Sequence, residues 1–388
     1  MWGGLRRPIG PFQVTCVLAA TMVVAAFSIS ATYAQNARNR WFPEKQNFGG
    51  IGERVNGNTV TIVSGNPDGT YLPIALDLAA VLDDGEAFRV LPLVGKGGSQ
   101  NVRDVRFLKS VDLGITQVNL LNSVRRSGDL GKLDNTIVYI ARLFGEEMHV
   151  VVRADSGVRS IEQLAGKTVS FGGAGTGTQL TARDVFGRLR VKVDEVNMAQ
   201  AEAVEKLKAG QIAAMVLVAG KPTALMGKLL AQQGLRFLPV RFAKQLQDDY
   251  LPGLLTHDDY PSMIPAGEDV ETIAVSAVLF AYNWPRGSEP YRRLEDFVDR
   301  FFSRLTELTQ PPRHPKWRET NFAAVLPGWT RFQPAEDWLE RNRKVLLSRN
   351  QFNEFLKSRN SVGTFATEEE RERLFHEFVK WSQERERR

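Results

Sequence analysis

The sequence predicts an α/β protein built from two successive series of strand–loop–helix units. Three observations carry that reading. Short apolar, β-branched runs alternate with amphipathic segments. Glycine-bearing loops follow several of the strand-like runs. A second series of the same kind starts near His149. Strands alternating with helices imply a parallel or mixed sheet covered on both faces, and two series imply two sheets of about a hundred residues each.

The elements follow in order. "TVTIVS" (59–64) reads as a buried strand, "NPDG" (66–69) as a turn, and "TYLPIALDLAAVL" (70–82) as a helix that tolerates Pro73 in its first turn. "FRVLPLV" (88–94) is a strand, "GKGGS" (95–99) a loop and "QNVRDVRFL" (100–108) a helix. "VDLGITQ" (111–117) is a third strand, with a helix from 119 to 126. "TIVYIARLF" (136–144) and "MHVVVRA" (148–154) read as two strands, rich in β-branched residues. In the second series, "SIEQLAGK" (160–167) is a short helix ending at a glycine. "TVSFGG" (168–173) is a strand and 178–189 a helix. "AEAVEKLKAG" (201–210) is a helix, while "IAAMVLVAG" (212–220), "LRFLPV" (235–240) and "DVETIAVSAVLFAY" (269–282) are strands.

The ends differ from this body. Arg6 and Arg7 precede an apolar run over 14–29, and "ATYAQ" offers a cleavage site after Ala34. That pattern predicts a secretory signal over 1–34. The run is short for a bilayer span, although a retained anchor is the alternative. Residues 35–54 read as a loose leader. Cys16, the single cysteine, lies inside the signal, so the remainder makes no disulfide, thiolate metal site or cysteine nucleophile. Beyond residue 285 the chain becomes helical and aromatic. In "EPYRRLEDFVDRFFSRLTEL" (289–308), Tyr291, Leu294, Phe297, Phe301, Leu305 and Leu308 form one helical stripe. Segments 335–347 and 368–381 are also amphipathic, and Thr367 with Glu370 suits a capping box. Such faces are expected to pack on the chain's own core, with docking of a partner as the alternative.

Charge narrows the function. Residues 35–284 carry 27 basic and 27 acidic side chains, and residues 285–388 carry 21 and 17. So mild a surplus, confined to the tail, does not point to nucleic acid. The histidines, at 149, 257, 314 and 376, show no metal-ligand spacing, and no G-x-S-x-G elbow occurs. No catalytic residue, metal or cofactor is expected. "THDDY" (256–260) suits a cation through Asp258 and Asp259, or simply a solvated loop.

Candidate binding residues sit on four loops: "SGNPDGTY" (64–71), "GKGGSQN" (95–101), "TQVN" (116–119) and "GGAGTGTQ" (172–179). Each is expected to leave the C-terminal end of a strand and enter a helix. Ligands of open α/β sheets lie at that edge, and a helix N-terminus there offers free amides and a positive dipole end. The fitting guest is a small anion such as carboxylate or phosphate. "GGAGTGT" is neither a Walker loop, lacking the lysine, nor G-x-G-x-x-G. Asp194 alone does not restore a nucleotide fingerprint.

Taken in order, "TIVSGNPDGTYLPIALDLAAVL", "GKGGSQNVRDVRFLKSVDLGITQVN", "HVVVRADSGVRSIEQLAGKTVSFGGAGTGTQLTA" and "AEAVEKLKAGQIAAMVLVAGKP" resemble the TAXI-type solute receptors of TRAP transporters, over residues 57–283. The resemblance implies a two-lobed periplasmic binding protein that closes on a small carboxylate or amino acid. It also implies delivery to TRAP membrane subunits. Lobe one would comprise 55–150 with a returning segment 265–284, lobe two 151–264, and a helical extension 285–388. The implied site residues are Ser64, Gly69, Thr70, Tyr71, Gly98, Ser99, Asn101, Gln117, Asn119, Gly175, Thr176, Gly177 and Thr178. Asn119 stands where that family often has an aspartate. Lys221 would pair with a second carboxylate or lie in a solvated loop. An exported enzyme or a sensor on the same fold is the alternative.

Overall fold

A single hydrogen-bonded sheet runs through the body of the protein. The computed structural model describes residues 50–342, apart from 86 and 230. The expected signal with Cys16, most of the leader, and the 368–381 segment with its capping box lie outside the described residues. Part of the leader is ordered: Ile51–Gly57 forms a helix, α1. Among the described residues no helix is long and apolar enough to cross a membrane.

The first series contains β1 (Thr59–Val63), α2 (Tyr71–Leu82), β2 (Arg89–Leu93), α3 (Ser99–Phe107), β3 (Leu113–Gln117) and α4 (Val118–Ser127). Then comes β4, Ile137–Arg153, an unbroken strand where the sequence suggested two. Gly145, Glu146 and Glu147 read as a break, because acids are rare in buried strands. Their backbone nevertheless stays in the sheet, all three pairing with β10 and Glu147 with β7 as well. Ser276 and Val275 oppose Gly145 and Glu146, and Ala274 and Ala219 flank Glu147. The second series contains β5 (Thr168–Ser170), α5 (Gly177–Arg188), β6 (Asp194–Val196), α6 (Gln200–Lys208), β7 (Ala214–Ala219), α7 (Ala224–Gly227), β8 (Leu235–Phe237), β9 (Leu251–Thr256) and β10 (Asp269–Tyr282). Residues 161–164 make only a 3₁₀ turn. Strands β6 and β9 were not legible in advance, being short or weakly apolar.

The strand order is β2-β1-β3-β10-β4-β7-β5-β6, with β8 on β4 and β9 on β10. This corrects the expectation of two separate sheets. Long β4 and β10 belong to both halves and stitch them together. The C-terminal part of β10 (277–282) pairs with β3 and with the start of β4, while its N-terminal part (269–274) pairs with β9. The later part of β4 (147–152) pairs with β7. Register shifts between Ser276 and Val278, and between Leu279 and Phe280, place bulges on β4 where the halves meet. A bulge bends its strand and raises its twist, so the sheet turns there.

The body is two-lobed because each half of the sheet has its own apolar cores. In the first half, Ile62, Leu78, Ile140 and Leu279 gather under α2, while Val105, Leu121, Val124 and Phe280 fill the opposite face. In the second half, Val150, Val169, Val185 and Val216 form one core, and Leu207, Met215, Leu217 and Tyr260 the other.

The C-terminal segment joins the first core. In α8 (Glu289–Ser303) the expected stripe is buried, with Leu294, Phe297 and Phe301 fully inside and Tyr291 nearly so. Ser288 caps the helix, accepting the Tyr291 amide at 3.4 Å, and Pro290 occupies the first turn. Each such side chain contributes about 1.5–3 kcal/mol of transfer free energy. The short α9 (Leu305–Leu308) brings in Leu308, and α10 (Gln333–Arg341) brings in Trp338. The described part of the extension, 285–342, therefore packs into the core of the first half of the sheet.

Candidate functional site

The four loops do converge. The β1–α2 loop, the β2–α3 loop and the β3–α4 junction come from the first half of the sheet, and the β5–α5 loop comes from the second. They meet over the bend in β4. The walls of the space between them include Asn66, Gly69, Thr70, Tyr71, Lys96, Gly97, Gln117, Glu146, Thr176, Gly177, Thr178 and Val218. Its volume is about 30 Å³. One water needs about 10–15 Å³ of such space, so in this conformation the cleft has room for about two waters and not for a metabolite. Wider concavities exist, of ≈ 780 Å³ along β9 and β10 and of ≈ 380 Å³ between α8 and α10, but neither gathers the loop amides.

Direct bonds between the lobes hold this closed arrangement. The Thr70 hydroxyl donates to the Gly220 carbonyl at 3.0 Å. The Gly177 amide donates to the Lys96 carbonyl at 3.3 Å. Thr181 donates to Gln117 Oε1 at 2.8 Å, and Asn119 donates to Thr181 and to the Tyr250 hydroxyl, both at 3.0 Å. Asn122 reaches Asp249 at 3.2 Å. The backbones also approach closely. A Cβ on Gly98 would sit 3.2 Å from the Gly175 carbonyl oxygen, and one on Gly177 would sit 3.0 Å from Gln117 Oε1. Glycine at both positions lets the lobes touch.

At the mouth of α5, Thr176 is the N-cap: its hydroxyl accepts the Gln179 amide at 3.2 Å and donates to the Gly173 carbonyl at 2.7 Å. The amides of Gly177 and Thr178 have no acceptor within the helix, and the Gly177 amide is taken up across the cleft. The Thr178 hydroxyl accepts the Val218 amide at 3.1 Å, fixing α5 to β7.

Several sequence-nominated residues lie off the cavity wall. Asn101 donates to the carbonyls of Ser64 and Ile115, at 2.6 and 2.8 Å, and Ser64 donates to that of Leu93 at 2.8 Å. Both brace the loops from beneath. Asn119 serves the lobe–lobe contact, with its Oδ1 unpaired among the described residues. Gly98, Ser99 and Gly175 belong to the same loops but do not line the space. Lys221 turns away, its ammonium on Asp259 at 2.8 Å and the Leu254 carbonyl at 2.7 Å. The same Asp259 accepts the Thr256 amide at 2.9 Å, so in "THDDY" it closes a turn and holds a lysine. Among the described residues no acid–histidine cluster is arranged to hold a metal.

The sequence reading missed Glu146 and Lys96. Glu146 is 3% exposed, beside the cavity, and its Oε2 accepts the Tyr71 hydroxyl at 2.6 Å. Burial pushes its carboxyl up to about 8. The hydrogen bonds from Tyr71 and Gln117 pull the other way, Glu147 pushes it further up, and Lys316 pulls it down. Glu147 points to the opposite side of the strand, onto buried Lys316 at 2.6 Å and the Lys221 amide at 3.0 Å. The available signal was "GEEM" inside an otherwise apolar run, two adjacent acids whose faces must alternate. His149, further along β4, is fully buried with Nε2 2.8 Å from the Tyr260 hydroxyl. Burial lowers its pKa to about 4, so it is neutral within the core.

The sequence profile of the NMT1-like family matches residues 62–286, which contain every residue of the cavity wall. The chain belongs to the NMT1-like family. Solved structures similar to this NMT1-like protein include a TctC solute binding protein from Polaromonas. It is 17% identical over 67% of this chain and 86% of that one, with a TM-score of 0.39. A mutant of ArgBP from T. maritima is 15% identical over 69% and 98%, at 0.43. A periplasmic transporter is 16% identical over 74% and 93%, at 0.45. The family assignment rests on the sequence match alone. Helices α8 to α10 of the NMT1-like protein follow the matched region.

Proposed function

We propose that this NMT1-like protein is a solute receptor that traps a small organic acid or amino acid between its two lobes. One observation carries the reading: loop and helix-terminal groups from both lobes converge on one space over the bend in β4 and β10. A solute that touches both walls favours the closed form, because only closure lets it contact both. Strands β4 and β10 are the hinge. The solute takes over bonds that the lobes now make to each other, such as the Gly177 amide and the Thr70 hydroxyl. Micromolar binding corresponds to about −8 kcal/mol, within reach of several charge-assisted bonds after ordering costs.

The order of the four loops in the sequence supports the finer reading of a TAXI-type receptor in the periplasm, reached through the N-terminal signal and serving a TRAP-type transporter. On that reading the protein binds and hands over its solute without catalysis. A thermal-shift panel of amino acids and carboxylates tests the proposal together with small-angle scattering. A solute at a hundredfold its Kd adds about 2.7 kcal/mol of stability and keeps the molecule compact. A panel without stabilisation, and no solute in mass spectra of natively purified protein, would refute it.

A further inference from the structure

An anion receptor has no evident use for a buried acid on the wall of its cleft. Glu146 is nevertheless there, 3% exposed and at the bend of β4. Its carboxyl accepts the Tyr71 hydroxyl of α2 at 2.6 Å and a hydrogen bond from Gln117, both neutral groups. It makes no ion pair among the described residues. Lys316, the buried cation nearby, is committed to Glu147 and Glu319 at 2.6 and 2.7 Å on the other side of the strand. Lys96 lies on the cavity wall, on the β2–α3 loop, and likewise forms no ion pair among the described residues. A buried carboxyl thus borders this small space with no ion-pair partner among the described residues.

We infer that Glu146 is the specificity-determining residue of this cleft and that it selects a solute carrying a protonated nitrogen. The inference rests on the solute-receptor reading and deepens it. A buried carboxylate without a counter-charge is costly, and burial does hold this carboxyl in its protonated range. An ammonium beside Oε1 or Oε2 supplies the missing charge and stabilises the ionised form. The solute's carboxylate has the opposite wall, with the α5 N-terminus. The two ends together suit a zwitterion, whereas a plain dicarboxylate would bring a second acid against Glu146.

The test uses purified full-length protein and matched pairs of probes: L-glutamate against glutarate, L-alanine against propionate, and L-leucine against 4-methylpentanoate. Calorimetry is run on wild type and on Glu146→Gln, and solute released from natively purified protein is identified by mass spectrometry. We expect the amino member of a binding pair to bind at least about tenfold tighter, and Glu146→Gln to shrink that ratio below about threefold. A co-purified solute with a basic nitrogen supports the inference where no probe binds. Equal or tighter binding of the deamino member would overturn the inference while leaving the receptor intact. So would an unchanged ratio in Glu146→Gln, or a co-purified solute without a basic nitrogen. Absence of both probe binding and co-purified solute overturns the inference and the receptor reading together.

Discussion

Replacing Glu146 by glutamine should stabilise the empty protein, and increasingly so as pH rises. Glu146 ordinarily ionises near 4.5, as it does when the chain is unfolded, and near 8 in the closed fold. Between those values the folded protein holds a proton that the unfolded chain has lost. Stability therefore falls as pH increases across this window. At about 1.4 kcal/mol per pH unit, the accumulated cost reaches a ceiling of about 5 kcal/mol above pH 8. Parting of the lobes hydrates the carboxylate and relieves part of that cost. We therefore expect Glu146→Gln to gain on the order of 2–3 kcal/mol at pH 8.5 and almost nothing at pH 4.5. Glutamine keeps an oxygen for the Tyr71 hydroxyl, so the packing change is small. Glu147, raised by burial, acts in the same direction, and His149 destabilises only as pH falls below its ordinary 6.5 towards 4. The difference between the two proteins isolates Glu146. Urea unfolding followed by tryptophan fluorescence at half-unit intervals from pH 4.5 to 9 measures it, on protein freed of solute by unfolding and refolding. A difference that stays flat with pH, or that turns against the glutamine variant at high pH, would show that this carboxyl is not held protonated in the fold.

Two further outcomes follow from the geometry. Gly98→Val places a branched side chain where a Cβ already meets Gly175 and Leu180 at 3.2 Å, so the lobes should be wedged apart. Small-angle scattering should then give a larger radius of gyration for the empty protein, and an unchanged radius would contradict the closed contact. Lys316→Met strands Glu147 in the core and should cost about 3–5 kcal/mol, whereas the double change Lys316→Met with Glu147→Met should recover most of it. Urea midpoints of the three proteins decide the matter, and a harmless single change would mean that the pair is not buried.

The sequence by itself determined the alternation of strands and helices, the glycine-bearing loops after the strands, and the buried stripe of α8. These are local properties, written in periodicity and turn chemistry over a few residues. Tertiary structure decided the rest. That β4 continues through Gly145, Glu146 and Glu147 depends on partners from β10 and β7, more than a hundred and about seventy residues away in sequence. Continuity of β4 and β10 makes one bent sheet out of what reads as two. The same long-range pairing sorts the candidate residues. Asn101 and Ser64 look like ligand groups in their loops, yet they bond to carbonyls of neighbouring strands. Glu146 looks like a break in a strand, yet it borders the cavity. Hydrogen-bond partners of a polar side chain are set by what other parts of the chain bring near it, and the sequence around each residue does not contain that information.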